Sequence, residues 1–160
     1  MLKWFKKGSS NEEPCSAEEA GTIEPAEAVL EKLDLLFSLS EQKYEAVCAS
    51  FYEMQGYQVS LIDLKGSRHW NLLRAEREDE TLLVRYVHVI GSLNNGHINN
   101  AYDEAGRFSA DRLTVICRFT CPDEVRSYAS RYNVEVLDFK GIARKVPIHI
   151  MQNASSGRFY

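Results

Sequence analysis

At 160 residues, 44% of them hydrophobic and 26% charged, the chain has the size and composition of one globular domain plus tails, which excludes a repeat array or a wholly disordered polymer. The net charge of -4 excludes a uniformly basic nucleic-acid coat, so any nucleic-acid footprint has to be a local patch. No stretch approaches the roughly 20 apolar residues that span a bilayer, and the opening MLKWFKKGSS lacks a secretory signal's apolar run. A cytoplasmic protein without stable membrane insertion is expected.

Residues 1–21 read as a flexible tail and linker: Lys3, Lys6 and Lys7 come first, then the small, acidic run GSSNEEPCSAEEAG. Residues 22–39 predict an N-terminal helix, with Pro25 in its first turn and Val29, Leu30, Leu33, Leu36 and Phe37 on one face. Ser40 is an expected N-cap for a second helix, along which Tyr44, Val47, Cys48, Phe51 and Gln55 form one stripe that Gly56 ends. Residues 10–45 hold ten acids against Lys32 and Lys43, so this region is also a candidate contact for a basic protein partner, or a cover for the chain's own cleft.

Beyond Gly56, YQVSLID alternates as a strand does, GSR turns, and HWNLLRA and TLLVRYVHV read as two strands joined by the charged EREDE connection. His97 to Ala110 returns to helical spacing, with Ile98, Ala101, Tyr102, Ala105 and Phe108 on one side. LTVIC suits a strand buried on both faces, Thr120 and Pro122 open a helix through Tyr132, and VEVLD forms a last strand. Residues 143–160 read as a basic C-terminal tail, since Ile142 to Tyr160 has Arg144, Lys145 and Arg158 but no acid.

Three strands able to form a meander, followed by helical crossovers, imply an α/β fold: a three-layer αβα sandwich around a mixed sheet, in the order αβββαβαβ from Ser40. The four cysteines, Cys15, Cys48, Cys117 and Cys121, include no C-x-x-C pair. Cys48 and Cys117 are expected to be buried thiols in a reducing compartment, with no zinc site. The chain contains no G-x-G-x-x-G, P-loop, G-x-S-x-G or H-E-x-x-H, which leaves those nucleotide-binding, hydrolase and metalloprotease classes without a foothold.

Over residues 40–142 this order resembles the restriction-endonuclease-like nucleases, the PD-(D/E)XK superfamily, and among them the Mrr-type branch. The segment KYEAVCASFYEMQGYQV is similar to that family's phenylalanine-glutamate helix ending in Gly-Tyr-x-Val, with Tyr44-Glu45 and Gly56-Tyr57 at those positions. The stretch AGRFSADRLTVICRFTCPDEVRSYASRYNVEVLDFKGI resembles its helix, buried strand, threonine-led helix and closing strand.

The resemblance implies a magnesium site made by an aspartate on the second strand and a Glu-x-Lys or Gln-x-Lys on the third. Carboxylates hold the cation, the cation polarises the scissile phosphate and activates water, and the lysine orients that water or neutralises developing charge. Here the corresponding positions are Asn71, Arg85 and Val87, with Glu45 on the preceding helix. If Ala75 stands opposite Thr81, then Asn71 faces Arg85 and His69 faces Val87, so the replaced residues converge. A cation beside Arg85 is repelled where a carboxylate would attract it, by roughly 4 kcal/mol per unit charge at 4 Å and an effective dielectric of 20.

The expectation is therefore a degenerate nuclease without metal or other cofactor, retained for DNA binding through Arg68, His69, Arg85 and His97, with Asn71 adding a polar contact. The alternative enzyme is a magnesium- or manganese-dependent endonuclease whose site has migrated to Glu45 and His69. Other acid-x-Lys sequences, Glu41-Gln42-Lys43, Asp63-Leu64-Lys65 and Asp138-Phe139-Lys140, lie off the central hairpin, and about one such match is expected by chance.

Overall fold

The computed structural model describes residues 25–62, 70–87 and 92–157, with positions 70 and 71 as backbone only. α1 (Ala26–Ser38) starts behind Pro25, and α2 (Glu41–Met54) behind Ser40, whose side chain accepts the Lys43 amide at 3.4 Å. Gly56, at φ 86, makes the left-handed turn out of α2 that a β-carbon would strain.

β1 (Gln58–Ile62), β2 (Trp70–Arg77) and β3 (Glu80–Val87) form an antiparallel meander, and Glu78 takes φ 51 at the β2–β3 turn. α3 (Asn95–Arg107) crosses to β4 (Arg112–Cys117), parallel to β3, and α4 (Asp123–Arg131) crosses to β5 (Val134–Leu137), parallel to β4. The strand order is β1-β2-β3-β4-β5. From α2 to β5 this is the predicted αβββαβαβ order, in a mixed sheet with a helical layer on each side.

The two layers follow from strand alternation, which sends successive side chains to opposite faces. Leu82, Val84 and Tyr86 of β3 join Leu73, Ala75, Ile116 and Leu137 beneath α1, α2, α5 (Phe139–Lys145) and α6 (Ile148–Ser155). Leu83 and Val87 join Leu72, Leu113, Val115 and Val136 beneath α3 and α4.

Two expectations are corrected. The β2–β3 register is displaced by one residue from the predicted one: Ala75 pairs with Leu82, Leu73 with Val84 and Asn71 with Tyr86. The cause is the tight turn, which pairs Arg77 with Glu80 and leaves two residues between the strands. A one-residue slip changes which face each side chain meets.

The region 143–160 is not a tail over its described part. α5 runs to Lys145, and α6 buries Ile150, Met151 and Ala154 in the same core as Leu36, Val47 and Ile142. α1 likewise packs with α5 and α6 rather than standing apart, although Leu30 and Phe37 of its apolar face stay exposed.

Met151 is fully buried, so Met151→Ala is expected to lower the unfolding free energy by about 2–5 kcal/mol in urea denaturation. A loss under about 0.5 kcal/mol, the value for an exposed tail, would contradict this packing.

Candidate functional site

Strands β3, β4 and β5 run parallel, so their carboxyl ends and the starts of α3, α4 and α5 share one edge of the sheet, where α/β folds commonly hold ligands. The active-site positions implied by the resemblance lie near this edge, but the register divides them. Position 71 pairs with Tyr86, whose ring lies on the face covered by α2, the helix that carries Glu45. Arg85 and Val87 belong to the opposite face, under α3 and α4. Arg85 and Val87 therefore share one face of the sheet while the helix that carries Glu45 covers the other, so these three do not converge on one cleft as expected.

On the α2 face the residue opposite Asn71 is an aromatic ring. Tyr44 and Tyr86 are 0% and 2% exposed, with ring centroids 5.0 Å apart. Phe139 lies 5.8 Å from Tyr44, and Phe37 stacks on Phe139 at 4.1 Å, closing an aromatic column from β3 through α2 to α5 and α1. Burial drives both phenols well above their ordinary range, so they stay neutral. The Tyr44 hydroxyl is buried without a protein hydrogen-bond partner.

Glu45 is half-buried beside this column; after burial itself, its charge is what raises the Cys48 thiol. Among the described residues no group of three or more His, Cys, Asp or Glu is placed to hold a metal ion. A hard divalent cation takes several oxygen ligands, mostly carboxylates, and two buried neutral phenols in an apolar column do not fit one.

Arg85 is 3% exposed, and its Nη1 stands 2.9 Å from Glu104 Oε2 on α3. Burial lowers the Arg85 pKa against the opposing effect of Glu104, and burial raises that of Glu104 against the effect of Arg85. This corrects the DNA-binding expectation for Arg85: its guanidinium is held inside the α3 layer, not offered to phosphate. Val87, 1% exposed, is core on the same face.

His97 occupies the rim but has a local task. The Asn94 side-chain oxygen accepts the His97 amide at 3.2 Å, and His97 Nδ1 accepts the Asn94 amide at 3.1 Å, a reciprocal cap of α3. The accepting Nδ1 must be unprotonated, and burial also lowers the imidazole pKa, so His97 is a neutral cap at pH 7 rather than a phosphate-binding cation. Arg68 and His69 lie outside the described residues, as does Asp63-Leu64-Lys65.

The remaining acid-x-Lys sequences serve the fold. Asp138 caps α5 through Gly141 N at 2.9 Å and pairs with Arg126 at 2.8 Å, and its Oδ2 also accepts the Cys121 amide at 3.4 Å. Lys43 donates to the Ser155 carbonyl at 2.7 Å, joining α2 to the end of α6. Cys48 and Cys117 are buried as expected; burial lifts the Cys48 thiol far above its ordinary range and pushes that of Cys117 up to about 12.

Glu104 was not among the expected site residues. Glu104 had a signal: it falls within the apolar side of α3 between Ala101 and Ala105, just as Arg85 interrupts the apolar run TLLVRYV, and two opposite charges on buried faces call for each other. Tyr44 and Tyr86 are core, as expected of aromatics on an amphipathic helix and strand.

No protein-family model matches the chain, and no curated protein matches it. Among solved structures, the chain is similar to one described as a protein of unknown function, AF1548, at 14% identity over 76% of this chain and 67% of that one, with a TM-score of 0.49.

Arg85→Met, which strands the Glu104 carboxylate, is expected to cost about 3–5 kcal/mol, whereas Arg85→Met with Glu104→Met restores most of it; a double loss equal to the sum of the Arg85→Met and Glu104→Met losses would show no coupling. Because Glu104 is raised, the native state binds its proton more tightly than the unfolded chain, so its contribution to stability falls as pH rises from the unfolded carboxylate value of about 4.3 through the folded one. Glu104→Gln should remove that part of the pH dependence in denaturation series, and an unchanged profile would contradict it. Tyr44→Phe is expected to be neutral or stabilising by up to about 1 kcal/mol, since no protein partner is lost; a clear loss in urea denaturation would show that the hydroxyl is bonded.

Proposed function

We propose that this chain is a restriction-endonuclease-like domain of the Mrr type that binds nucleic acid without cutting it. The observation that carries the reading is the Tyr44–Tyr86 column: the position opposite Asn71 holds a buried ring rather than a metal ligand. The scaffold is kept while the groups that would organise a cation and a water are replaced by core.

The phosphate contacts move with this correction. From residue 139 to the end the chain carries Lys140, Arg144, Lys145 and Arg158 and no acid. Lys145 pairs with Glu135, but Lys140 and Arg144 are exposed, stand one turn apart on α5, and enter no ion pair among the described residues. α5 begins at the carboxyl edge of β5, so these two cations flank the edge described above. They suit a phosphate backbone, read for charge rather than for sequence. No helix among the described residues is long and apolar enough to cross a membrane. The proposed setting is the cytoplasm.

Fluorescence anisotropy on duplex, branched and single-stranded DNA across a salt series is the test. Binding is expected to weaken with salt, and Lys140→Ala with Arg144→Ala should reduce the slope of log K against log salt by about 2 on duplex DNA. Supercoiled plasmid should stay intact with magnesium or manganese. Binding no tighter than about 1 mM at low salt would remove the binding half of the reading, and metal-dependent nicking the non-cutting half.

A further inference from the structure

At the other end of the sheet, away from the carboxyl edge, the last turns of α3 and α4 and the starts of β4 and β5 enclose a cleft of about 260 Å³. Two of its walls are the rings of Tyr102 and Tyr132, centroids 5.5 Å apart, which remain 49% and 44% exposed. Tyr132 is braced from behind: Tyr128 lies 5.1 Å from it, and the Tyr128 hydroxyl donates to Asn99 Oδ1 at 2.7 Å. A surface that exposes two large rings and holds one in place is ready to stack on a flat partner.

The floor is open because Gly106 belongs to it. A β-carbon there meets nothing within 4 Å, and the position is helical with no positive φ. The polar groups sit at the rim. Asn133, at φ 58, carries an amide with both donor and acceptor. Asp111 is fixed by its Oδ2 accepting the Thr81 amide at 2.8 Å, and Arg112 by Glu80 at 3.0 Å. The carboxyl-terminal ends of α3 and α4 line the cleft, and the negative end of each helix dipole disfavours a phosphate inside. The volume lies below the roughly 300–1,000 Å³ typical of drug-sized sites, so it suits one ring system.

We propose that this cleft binds an amino-substituted planar heteroaromatic ring, a nucleobase of adenine or cytosine type, stacked on Tyr132 with Tyr102, inclined at 60° to it, as the side wall, and with its amino edge toward Asp111. The base comes either from a free nucleoside or from a single strand, where ring stacking is tolerant of sequence. The inference does not rest on the binding mode at the carboxyl edge, and either can fail alone.

The test is titration of the full, isotope-labelled chain with adenosine, with an oligodeoxyadenylate and with ribose, followed by amide shift changes. Saturable shifts in Gly106, Tyr132 and Asn133 with a Kd of about 1 mM or tighter are expected for adenosine, and none for ribose. Tighter binding of the oligonucleotide assigns the source to a strand, and equal or absent oligonucleotide binding to a free nucleoside. Gly106→Leu should fill the cleft and abolish the adenosine shifts while its thermal unfolding stays at or above that of the parent. Tyr132→Ala should weaken binding about tenfold and Tyr132→Phe should not, since the ring face is what is used. Absence of adenosine shifts at the cleft, or shifts that survive both Gly106→Leu and Tyr132→Ala, would overturn the proposal.

Discussion

The alternation of side chains along β3, buried on both faces, is the constraint on which the rest of the molecule depends. β3 lies at the centre of the five strands, and all of its residues from Leu82 to Val87 are buried. Every residue there commits to one helical layer: Leu82, Val84 and Tyr86 to α1, α2, α5 and α6, and Leu83, Arg85 and Val87 to α3 and α4. The β2 register fixes what stands beside each of them. With apolar burial stabilising by about 25 cal/mol per Å² on either face, a slip by one residue would exchange both faces of β2 at once.

That commitment explains why a polar residue survives inside. Arg85 points into the α3 layer, where a charge without a partner is very costly, and Glu104 is the group that reaches it. The pair is weak evidence for net stability, because hydrophobic residues of similar volume do as well or better in such places. What the contact does is tie α3 to the middle of β3, Arg85 Nη1 to Glu104 Oε2 at 2.9 Å.

The two ends of the sheet divide the labour differently. At the carboxyl edge, polar groups are spent on the fold itself: His97 and Asn94 cap α3, Asp138 caps α5 and holds Arg126, and Arg118 donates to the carbonyls of Phe37 and Leu39 at the end of α1. Among the described residues, Lys140 and Arg144 are left on the surface of α5. At the amino end, Glu80 gathers Tyr57 at 2.7 Å and Arg112 at 3.0 Å, and its carboxyl is held below the usual range chiefly by the Tyr57 hydroxyl and then by Arg112. This fixes the start of β4 against the hairpin and leaves the tyrosine-walled cleft beside it.

Much of the fold was legible in the chain because periodicity is a local property. The two-residue alternation of QVSLI, the three- and four-residue steps from Tyr44 to Phe51, the N-cap at Ser40 and the stop at Gly56 each determined an element within a few residues, and their order determined the αβα sandwich. That Asn71, Arg85 and Val87 are not the aspartate, Glu or Gln, and lysine that the resemblance calls for could also be read directly. What stands opposite Asn71 could not, because it depends on how many residues the β2–β3 turn leaves unpaired, and EREDE admits more than one count. Nor could the sequence tell that 143–155 folds back as α5 and α6, since a short basic segment with scattered apolar residues looks the same as a tail until the face it covers exists. Local propensity is written along the chain, whereas register, burial of a charge and the closure of one surface over another are decided only when distant segments meet.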